Sequence, residues 1–200
     1  FRQQANDIAG DLSGGYDVLV SSNPSDPIAV DDLVALDAVT GVAPLGYGFA
    51  ETTFGERTQM WPVTAIGPEL VADPPALRDR GGFETDRAAW QAVLDDPDLV
   101  IADEFLLNNG GPAGNPVRVG DTVTLTDPVT GGSRQLEVVA LANEDFLVNG
   151  PYVGLDTYTD LFGERAVASR YYVAIEDDAD PEAVAAVIGR TFAENGAESN

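Results

Sequence analysis

The sequence predicts an α+β fold in which short strands and short helices alternate. Apolar runs of four to eight residues, some of them alternating with polar residues, indicate the strands. Apolar residues at helical spacing follow capping residues, and Gly, Pro and Asn separate the elements. The chain has 200 residues, of which 44% are hydrophobic, so it is long enough to bury a core without disulfides or metals.

Eight segments are predicted as strands from their apolar and β-branched content. The best defined belong to a hairpin, in which Val123 and Leu125 alternate with threonines before a turn at residues 130–133. Gly46 and Gly48 indicate a bulge or close packing within one long strand. The predicted strands are residues 16–20, 42–54, 60–66, 99–102, 119–126, 136–142, 152–155 and 171–175.

Three helices are predicted from a capping residue that precedes an apolar face. Asp31 or Asp32 caps the first helix, which runs towards Gly41; Thr85 caps the second; and Asp180 caps the third, where a proline follows. Residues 158–162 predict a further helical turn. The apolar faces are Leu33, Val34 and Leu36 in the first helix; Ala89, Trp90, Val93 and Leu94 in the second; and Ala183, Val184, Val187, Ile188 and Phe192 in the third.

The two ends of the chain share a strand–helix pattern, and a β-rich segment lies between them. Residues 68–82 are rich in Pro, Gly and charge, which indicates a junction and not a core element. We therefore predict that the two ends pack together as one α+β layer, with the β-rich segment as an insertion. The predicted layer comprises residues 1–68 and 165–200, and the predicted β-rich insertion comprises residues 69–164.

Three residue types are absent, and their absence excludes much enzymatic chemistry. The chain has no His, no Cys and no Lys, and all ten basic residues are Arg. A Ser-His-Asp triad, a thiol nucleophile, a Schiff-base lysine and a P-loop are therefore impossible. Zinc sites of the usual kind also lack their ligands. The sequence favours a protein that is not an enzyme and has no cofactor and no metal, although carboxylates and hydroxyls remain for catalysis.

The net charge of −24 arises from 34 acidic and ten basic residues. Nucleic-acid backbones and anionic membrane surfaces repel such a surface, so we expect no nucleic-acid partner. Two explanations of the acidity stay open, namely adaptation to high salt and the codon bias of a GC-rich genome. Binding of calcium or of a cationic ligand is the functional alternative, but acidic runs are usually a solvated face.

Paired carboxylates are the one enzymatic option that the composition leaves. Acids cluster at residues 95–98, 103–104 and 144–145, and a glycosidase needs two carboxylates at a set separation. A chain with 34 acids supplies such pairs at any spacing, so the clusters carry little information. Residues 176–180 have the composition of a calcium loop but lack the Gly and Glu positions of an EF-hand.

Two places are candidates for an interaction surface. Tyr47 and Phe49 alternate on one predicted strand and therefore point to the same face. Asn108 and Asn109 begin a Gly-rich loop, and binding residues favour loops. Without a Lys this loop is not a phosphate cradle. Trp90, by contrast, lies on the apolar face of a predicted helix and is expected in the core.

Four motifs between residues 83 and 141 follow one another in a characteristic order. They are FETD at residues 83–86 with Trp90, DDPDLVIADE at 95–104, VGDTVTL at 119–125 and LEVVAL at 136–141. Together they resemble the extracytoplasmic domain, of the MacB-like periplasmic core type, of FtsX/MacB-family ABC transporter permeases. Ala140 stands where the family usually has Gly.

The resemblance implies a non-catalytic domain outside the cell membrane. In this family the domain lies between the first and second transmembrane helices, and it comprises a porter-like lobe from both chain ends and an inserted β-rich lobe. Its partners are its own transmembrane helices, a separate cytoplasmic ATPase, and an extracytoplasmic protein or lipoprotein. The full-length permease is expected to be dimeric. The domain transmits ATP-driven movement or engages a substrate or partner.

The chain itself reads as a soluble piece of such a protein. It shows no signal peptide and no apolar run of the roughly 18–20 residues that span a bilayer. Two alternatives from other classes stay open. One is a secreted acidic hydrolase that acts on glycans through carboxylates, and the other is a free-standing extracellular binding or adhesion domain.

Overall fold

The structure is a computed structural model that describes residues 15–103, 106–107, 116–143 and 150–199. The elements in these ranges confirm the predicted α+β class. The strands are β1 (Val18–Ser21), β2 (Val39–Phe54), β3 (Arg57–Ile66), β4 (Leu77–Asp79), β5 (Leu99–Ala102), β6 (Thr122–Thr126), β7 (Ser133–Ala142), β8 (Tyr152–Gly154), β9 (Ala168–Ile175) and β10 (Glu198–Ser199). The α-helices are α1 (Val30–Val34), α2 (Pro68–Ala72), α3 (Asp86–Asp95), α4 (Leu155–Phe162) and α5 (Pro181–Thr191).

The strands of the described ranges form one continuous sheet. Its order is β10-β1-β9-β2-β3-β8-β5-β7-β4, and β6 pairs with both β2 and β7. Because β6 links β2 to β7 directly while β3, β8 and β5 link them by the other route, six strands close into a ring. The strands β9, β1 and β10 extend from β2 as an open arm.

The long strand β2 belongs to both the open arm and the ring. Its first half pairs with β9, and from Gly46 onwards it pairs with β3. The register to β9 shifts between Leu45 and Gly46, which confirms the predicted irregularity. A β-bulge of this kind bends a strand and increases its twist, so it lets one strand turn from the open arm into the ring.

Three apolar clusters form the core of the described part of the chain. The first fills the ring with Val63, Val123 and Leu136, and α4 adds Tyr158 and Phe162 to it. The second lies on the outer face of the sheet beneath α2 and α3, and its largest member is Trp90, which is fully buried as predicted. The third joins α1 and α5 to β1 and β9 and draws only on the two ends of the chain. The division into two lobes stays a prediction, since the sheet runs through both.

The hairpin and two of the three predicted helix caps are confirmed. Strands β6 and β7 pair antiparallel around the predicted turn. The hydroxyl of Thr85 accepts a hydrogen bond from the backbone N–H of Ala88 at 3.1 Å. The Asp180 carboxylate accepts one from Glu182 at 3.1 Å. Both bonds satisfy N–H groups that have no partner within the helix.

The prediction for the first helix is wrong in its cap and its length. Ala29, and not Asp31 or Asp32, is the N-cap of α1, and the helix ends at Val34. Both aspartates lie in the first helical turn, where a carboxylate interacts favourably with the helix dipole. The helix stops early because the β-branched Val39 begins β2, where pairing with β9 replaces helical hydrogen bonds.

Two further expectations are corrected. The segment predicted as a junction, residues 68–82, contains α2 and β4, because Leu70 and Val71 become buried against the outer face of the sheet. In α5, Ala183 is exposed and Val187 is 40% exposed, whereas Ala185 is buried. The buried stripe is therefore narrower than predicted. In the described ranges, every helix is too short or too polar to cross a membrane.

Candidate functional site

An exposed apolar patch lies on the outer face of the β2–β3 hairpin. Tyr47 and Phe49 point outward together because side chains alternate along a strand. Phe49 lies directly across from Pro62 on β3, and Met60 follows two residues away on the same face. Phe49 is 52% exposed and Met60 50% exposed, while Tyr47 and Pro62 are half-buried. We call these four residues the hairpin patch.

Tyr47 is held from two sides. Its ring meets the Phe49 ring edge-on, with the ring centroids 5.6 Å apart at an interplanar angle of 81°. The guanidinium carbon of Arg170, on the neighbouring strand β9, lies 3.3 Å from the Tyr47 ring centroid. A cation over the face of an aromatic ring is attracted by the ring's negative π-surface. The aromatic part of the patch therefore has a fixed orientation.

Two glycines allow a helix to pack closely behind the patch. A Cβ atom at Gly46 would lie 2.8 Å from the Cβ of Ala65 and 2.8 Å from the Tyr158 ring, and one at Gly48 would lie 3.0 Å from the Tyr158 hydroxyl. Gly46 thus leaves the room that the Tyr158 ring of α4 needs against β2, and a side chain at Gly48 would crowd the Tyr158 hydroxyl. This confirms the close packing predicted for both glycines and gives the patch a firm support.

The helix α4 is in turn tied to the start of β5. The hydroxyl of Thr157 donates a hydrogen bond to the carbonyl of Pro97 at 2.8 Å. The Arg134 guanidinium bridges Asp160 at 3.1 Å and Asp98 at 3.4 Å. Exposed ion pairs contribute little individually, but together these contacts fix the helix that supports the hairpin patch.

The predicted carboxylate cluster at residues 95–98 serves local structure. Asp95 accepts a hydrogen bond from the Gln91 side chain at 2.8 Å, and Asp96 accepts one from the backbone N–H of Asp98 at 3.0 Å. Glu104, and the acids of the 144–145 cluster, lie outside the described residues. Among the acids that the structure does describe, no group of three is arranged to hold a metal ion.

A buried acid that the sequence analysis did not single out organises the β6–β7 turn. Asp127 is fully buried and accepts hydrogen bonds from the Thr130 hydroxyl at 2.6 Å, from two backbone N–H groups and from the Arg165 guanidinium. Burial alone would raise the pKa of Asp127, but these hydrogen bonds outweigh it and hold the pKa well below its usual range. The Asp-Pro pair that starts the turn and its two glycines are the sequence features from which this turn could have been predicted.

A concave surface lies between α5 and β10, away from the hairpin patch. It is a groove of about 360 Å³, and the Ser199 hydroxyl donates a hydrogen bond across it to the Ala185 carbonyl at 2.7 Å. Small and apolar residues dominate its lining, which consists of Pro181, Glu182, Ala185, Ala186, Gly189 and Ser199. Because its lining has few polar groups, the groove lacks the cluster of side chains that catalysis requires.

The candidates from the sequence separate into two groups. Tyr47 and Phe49 lie side by side, as predicted, and the structure adds Met60, Pro62 and Arg170 to them. Met60 and Pro62 lie on a predicted strand, but only the register of the hairpin shows that they border Phe49. The other candidate pair, Asn108 and Asn109, lies outside the described residues.

Comparison with known proteins shows which solved structures share the fold of this chain. No protein-family model matches the chain, and no curated protein sequence matches it. The extracellular domain of the noncanonic ABC-type transporter YknZ from Gram-positive bacteria is similar in structure, with a TM-score of 0.52, 13% identity, and coverage of 92% of this chain and 98% of that chain. The periplasmic region of MacB from Actinobacillus actinomycetemcomitans has a TM-score of 0.53 and 14% identity, and covers 99% of this chain and 93% of that chain. The chain thus shares its fold with extracytoplasmic domains of ABC-type transporters, as the resemblance of its motifs implied.

Proposed function

We propose that the chain is the extracytoplasmic domain of an ABC transporter permease subunit of the FtsX/MacB type. In this role it transmits ATP-driven movement, engages a substrate, lipoprotein or partner protein outside the membrane, or does both. The observation that carries the proposal is the structural match to the MacB periplasmic region, which extends over 99% of this chain and 93% of that chain. Because the match spans almost all of this chain and of the solved periplasmic region, it concerns a whole domain and not a shared motif.

The geometry of the first and last strands supports attachment to a membrane through both flanks. β1 and β10 are antiparallel neighbours, with Val20 opposite Ser199 and Ser21 opposite Glu198. The chain therefore enters β1 and leaves β10 on the same side of the sheet. Transmembrane helices joined to the two flanks would meet the domain at one side, as the position between two such helices requires.

The continuous sheet offers a route for movement between the two proposed lobes. The lobe of residues 1–68 and 165–200 would lie next to the membrane, and the β-rich lobe of residues 69–164 would lie beyond it. Strand β2 pairs with β9 in the first and with β6 in the second. A shift at the membrane side would thus reach the ring through one strand. The cytoplasmic ATPase and the dimeric state of the full-length permease belong to the same proposal.

A non-catalytic role accounts for the chemistry better than the alternative of a glycan hydrolase. The residue types of triads, thiol nucleophiles and Schiff bases are missing. A glycosidase acid needs a raised pKa so that it can donate a proton. The pKa of the buried Asp127 is shifted in the opposite direction, which suits a structural carboxylate.

Purification of the full-length gene product tests the proposal. An affinity tag on the full-length protein should recover it from the membrane fraction in detergent, together with an ATP-hydrolysing subunit or domain that carries a P-loop. A full-length protein that is secreted without membrane segments would instead support the adhesion or hydrolase alternative. A membrane protein that purifies without any ATPase would contradict the transporter assignment.

A further inference from the structure

We infer that the hairpin patch is the docking surface for a partner protein that presents an apolar anchor surrounded by basic residues. The inference rests on the proposed function, because it requires a face that is accessible outside the membrane. It goes further by naming the surface and the chemistry of what binds there.

The hairpin is nearly neutral within a strongly acidic protein. Across β2, β3 and the turn between them, residues 39–66, the charged residues are Glu51, Glu56 and Arg57. The segment therefore carries a net charge of −1, and 23 of the 24 net negative charges lie elsewhere on the chain. An apolar surface with so little net charge is suited to contact with another protein.

The hairpin patch also has the anatomy of an interface centre. Phe49 and Met60 expose about half of their surfaces on one face of the hairpin. Interface centres are depleted of charge and enriched in aromatic residues and Met, and a few such residues carry most of the binding energy. Arg170 fixes Tyr47 from the side, and Tyr158 supports the strand from behind. Little further ordering is needed on binding, which lowers its entropic cost.

The charge of the chain outside the hairpin patch indicates the sign of the partner's rim. Glu51 lies directly across from Met60 and is exposed, as is Glu56 at the turn. Two cations also lie nearby and keep their charge: Arg170 stacks on Tyr47, and Arg57 lies 5.3 Å from the Phe54 ring centroid. These cations balance the two carboxylates, so the patch is locally neutral, and the net negative charge lies on the rest of the chain. That charge calls for Lys or Arg on the rim of the partner.

The total charge argues against the other occupants. A second copy of the chain also carries −24, so two copies repel each other wherever the contact extends beyond the patch. Anionic lipid surfaces are repelled for the same reason. A partner with a basic rim would be attracted over a distance of the order of the Debye length, about 8 Å at physiological salt. A basic partner protein is the occupant to which we commit.

Site-specific photocrosslinking tests this inference in the full-length protein. The photoreactive amino acid p-benzoylphenylalanine replaces Phe49 in cells that produce the full-length protein, and Val129, which is 72% exposed on the β6–β7 turn, is replaced as the matched control. We expect a crosslink from position 49 and none from position 129. The crosslinked peptide of the partner should contain an apolar residue flanked by Lys or Arg.

Binding is then measured with the purified partner and the full-length protein. The Kd should rise about tenfold or more for the variant with Phe49→Ser and Met60→Ser, since a few central residues carry most of the binding energy, and it should stay unchanged for Val129→Ser. The Kd should also rise with NaCl concentration. Both substitutions fall on exposed side chains, and equal melting temperatures of variant and parent would show that the fold is intact.

Four results would overturn the inference. They are a crosslink to a second copy of the chain, a partner contact surface with net negative charge, an unchanged Kd for the double variant, and no crosslink at position 49. Each of these leaves the proposed function standing if the full-length protein still purifies with its ATPase. Conversely, loss of the ATPase association removes the proposed function without altering the outcome at position 49.

Discussion

Arg170 and Tyr47 join two strands of the sheet through a cation–π contact, with the guanidinium carbon 3.3 Å from the ring centroid. Arg170→Ala should lower the free energy of unfolding by about 0.5–2 kcal/mol, the range of such contacts from exposed to desolvated sites, because both side chains are half-buried. Urea unfolding of Arg170→Ala, of Tyr47→Ala and of the double variant measures the coupling energy between the two side chains. Arg118→Ala, which removes the same charge from an exposed position, is the control. A coupling energy of zero would show that the contact contributes nothing.

Gly46→Ala should destabilise the fold because the added methyl group has no room. Its Cβ would lie 2.8 Å from Ala65 and from the Tyr158 ring, and overpacking of this kind costs about 1–3 kcal/mol. Thermal unfolding measures the loss. Gly132→Ala is the matched control, since its Cβ would approach only the Thr130 hydroxyl, at 3.4 Å. Equal melting temperatures for the two variants would contradict the packing of α4 against β2.

Asp127→Asn should destabilise the β6–β7 turn at neutral pH by about 1–3 kcal/mol, because the ionised acceptor of several hydrogen bonds is replaced. The pKa of Asp127 is lower in the folded chain than its ordinary value of 3.8. Its stabilising contribution is therefore present above about pH 4 and is lost as the pH falls below that value. Urea unfolding between pH 7 and pH 2 should show the difference between parent and variant shrinking on acidification. If the difference in unfolding free energy between parent and variant stays constant with pH, Asp127 is not ionised in the folded chain.

Thermal stability should depend strongly on salt if the acidity is an adaptation to it. The 34 acids face only ten Arg side chains, so self-repulsion is large and molar KCl would screen it. The melting temperature should then rise steeply between 0.1 and 2 M KCl. Sucrose at matched osmolality controls for effects that do not involve charge. A melting temperature that does not change with KCl concentration would favour genome composition as the origin of the acidity.

Local features of the fold could be predicted from the sequence, because local chemistry determines them. Thr85 and Asp180 cap helices as their residue types indicate. The period-2 pattern of residues 122–126 gives a strand, and Gly46 marks close packing. These signals act over a few residues, so a single sequence displays them.

The closure of the ring could not be predicted in the same way. It depends on β6 pairing with β2, where Glu51 lies opposite Thr126, and no local pattern specifies a contact between positions so far apart. For the same reason, only Tyr47 and Phe49 of the hairpin patch could be predicted. The strand register, and no local pattern, places Met60 and Pro62 beside Phe49. The end of α1 was missed because pairing of Val39 with β9 overrides helix propensity.

The central claim, that this domain lies outside the cytoplasm, is tested most directly by cysteine labelling, because the chain has no Cys of its own. The full-length protein, with any other cysteines replaced, carries either Val129→Cys at an exposed position or Ala140→Cys at a fully buried one. A membrane-impermeant maleimide is added to intact protoplasts or spheroplasts. We predict that Val129→Cys is labelled before lysis and that Ala140→Cys is labelled only after denaturation. Labelling of Val129→Cys only after lysis would place the domain in the cytoplasm and contradict the account.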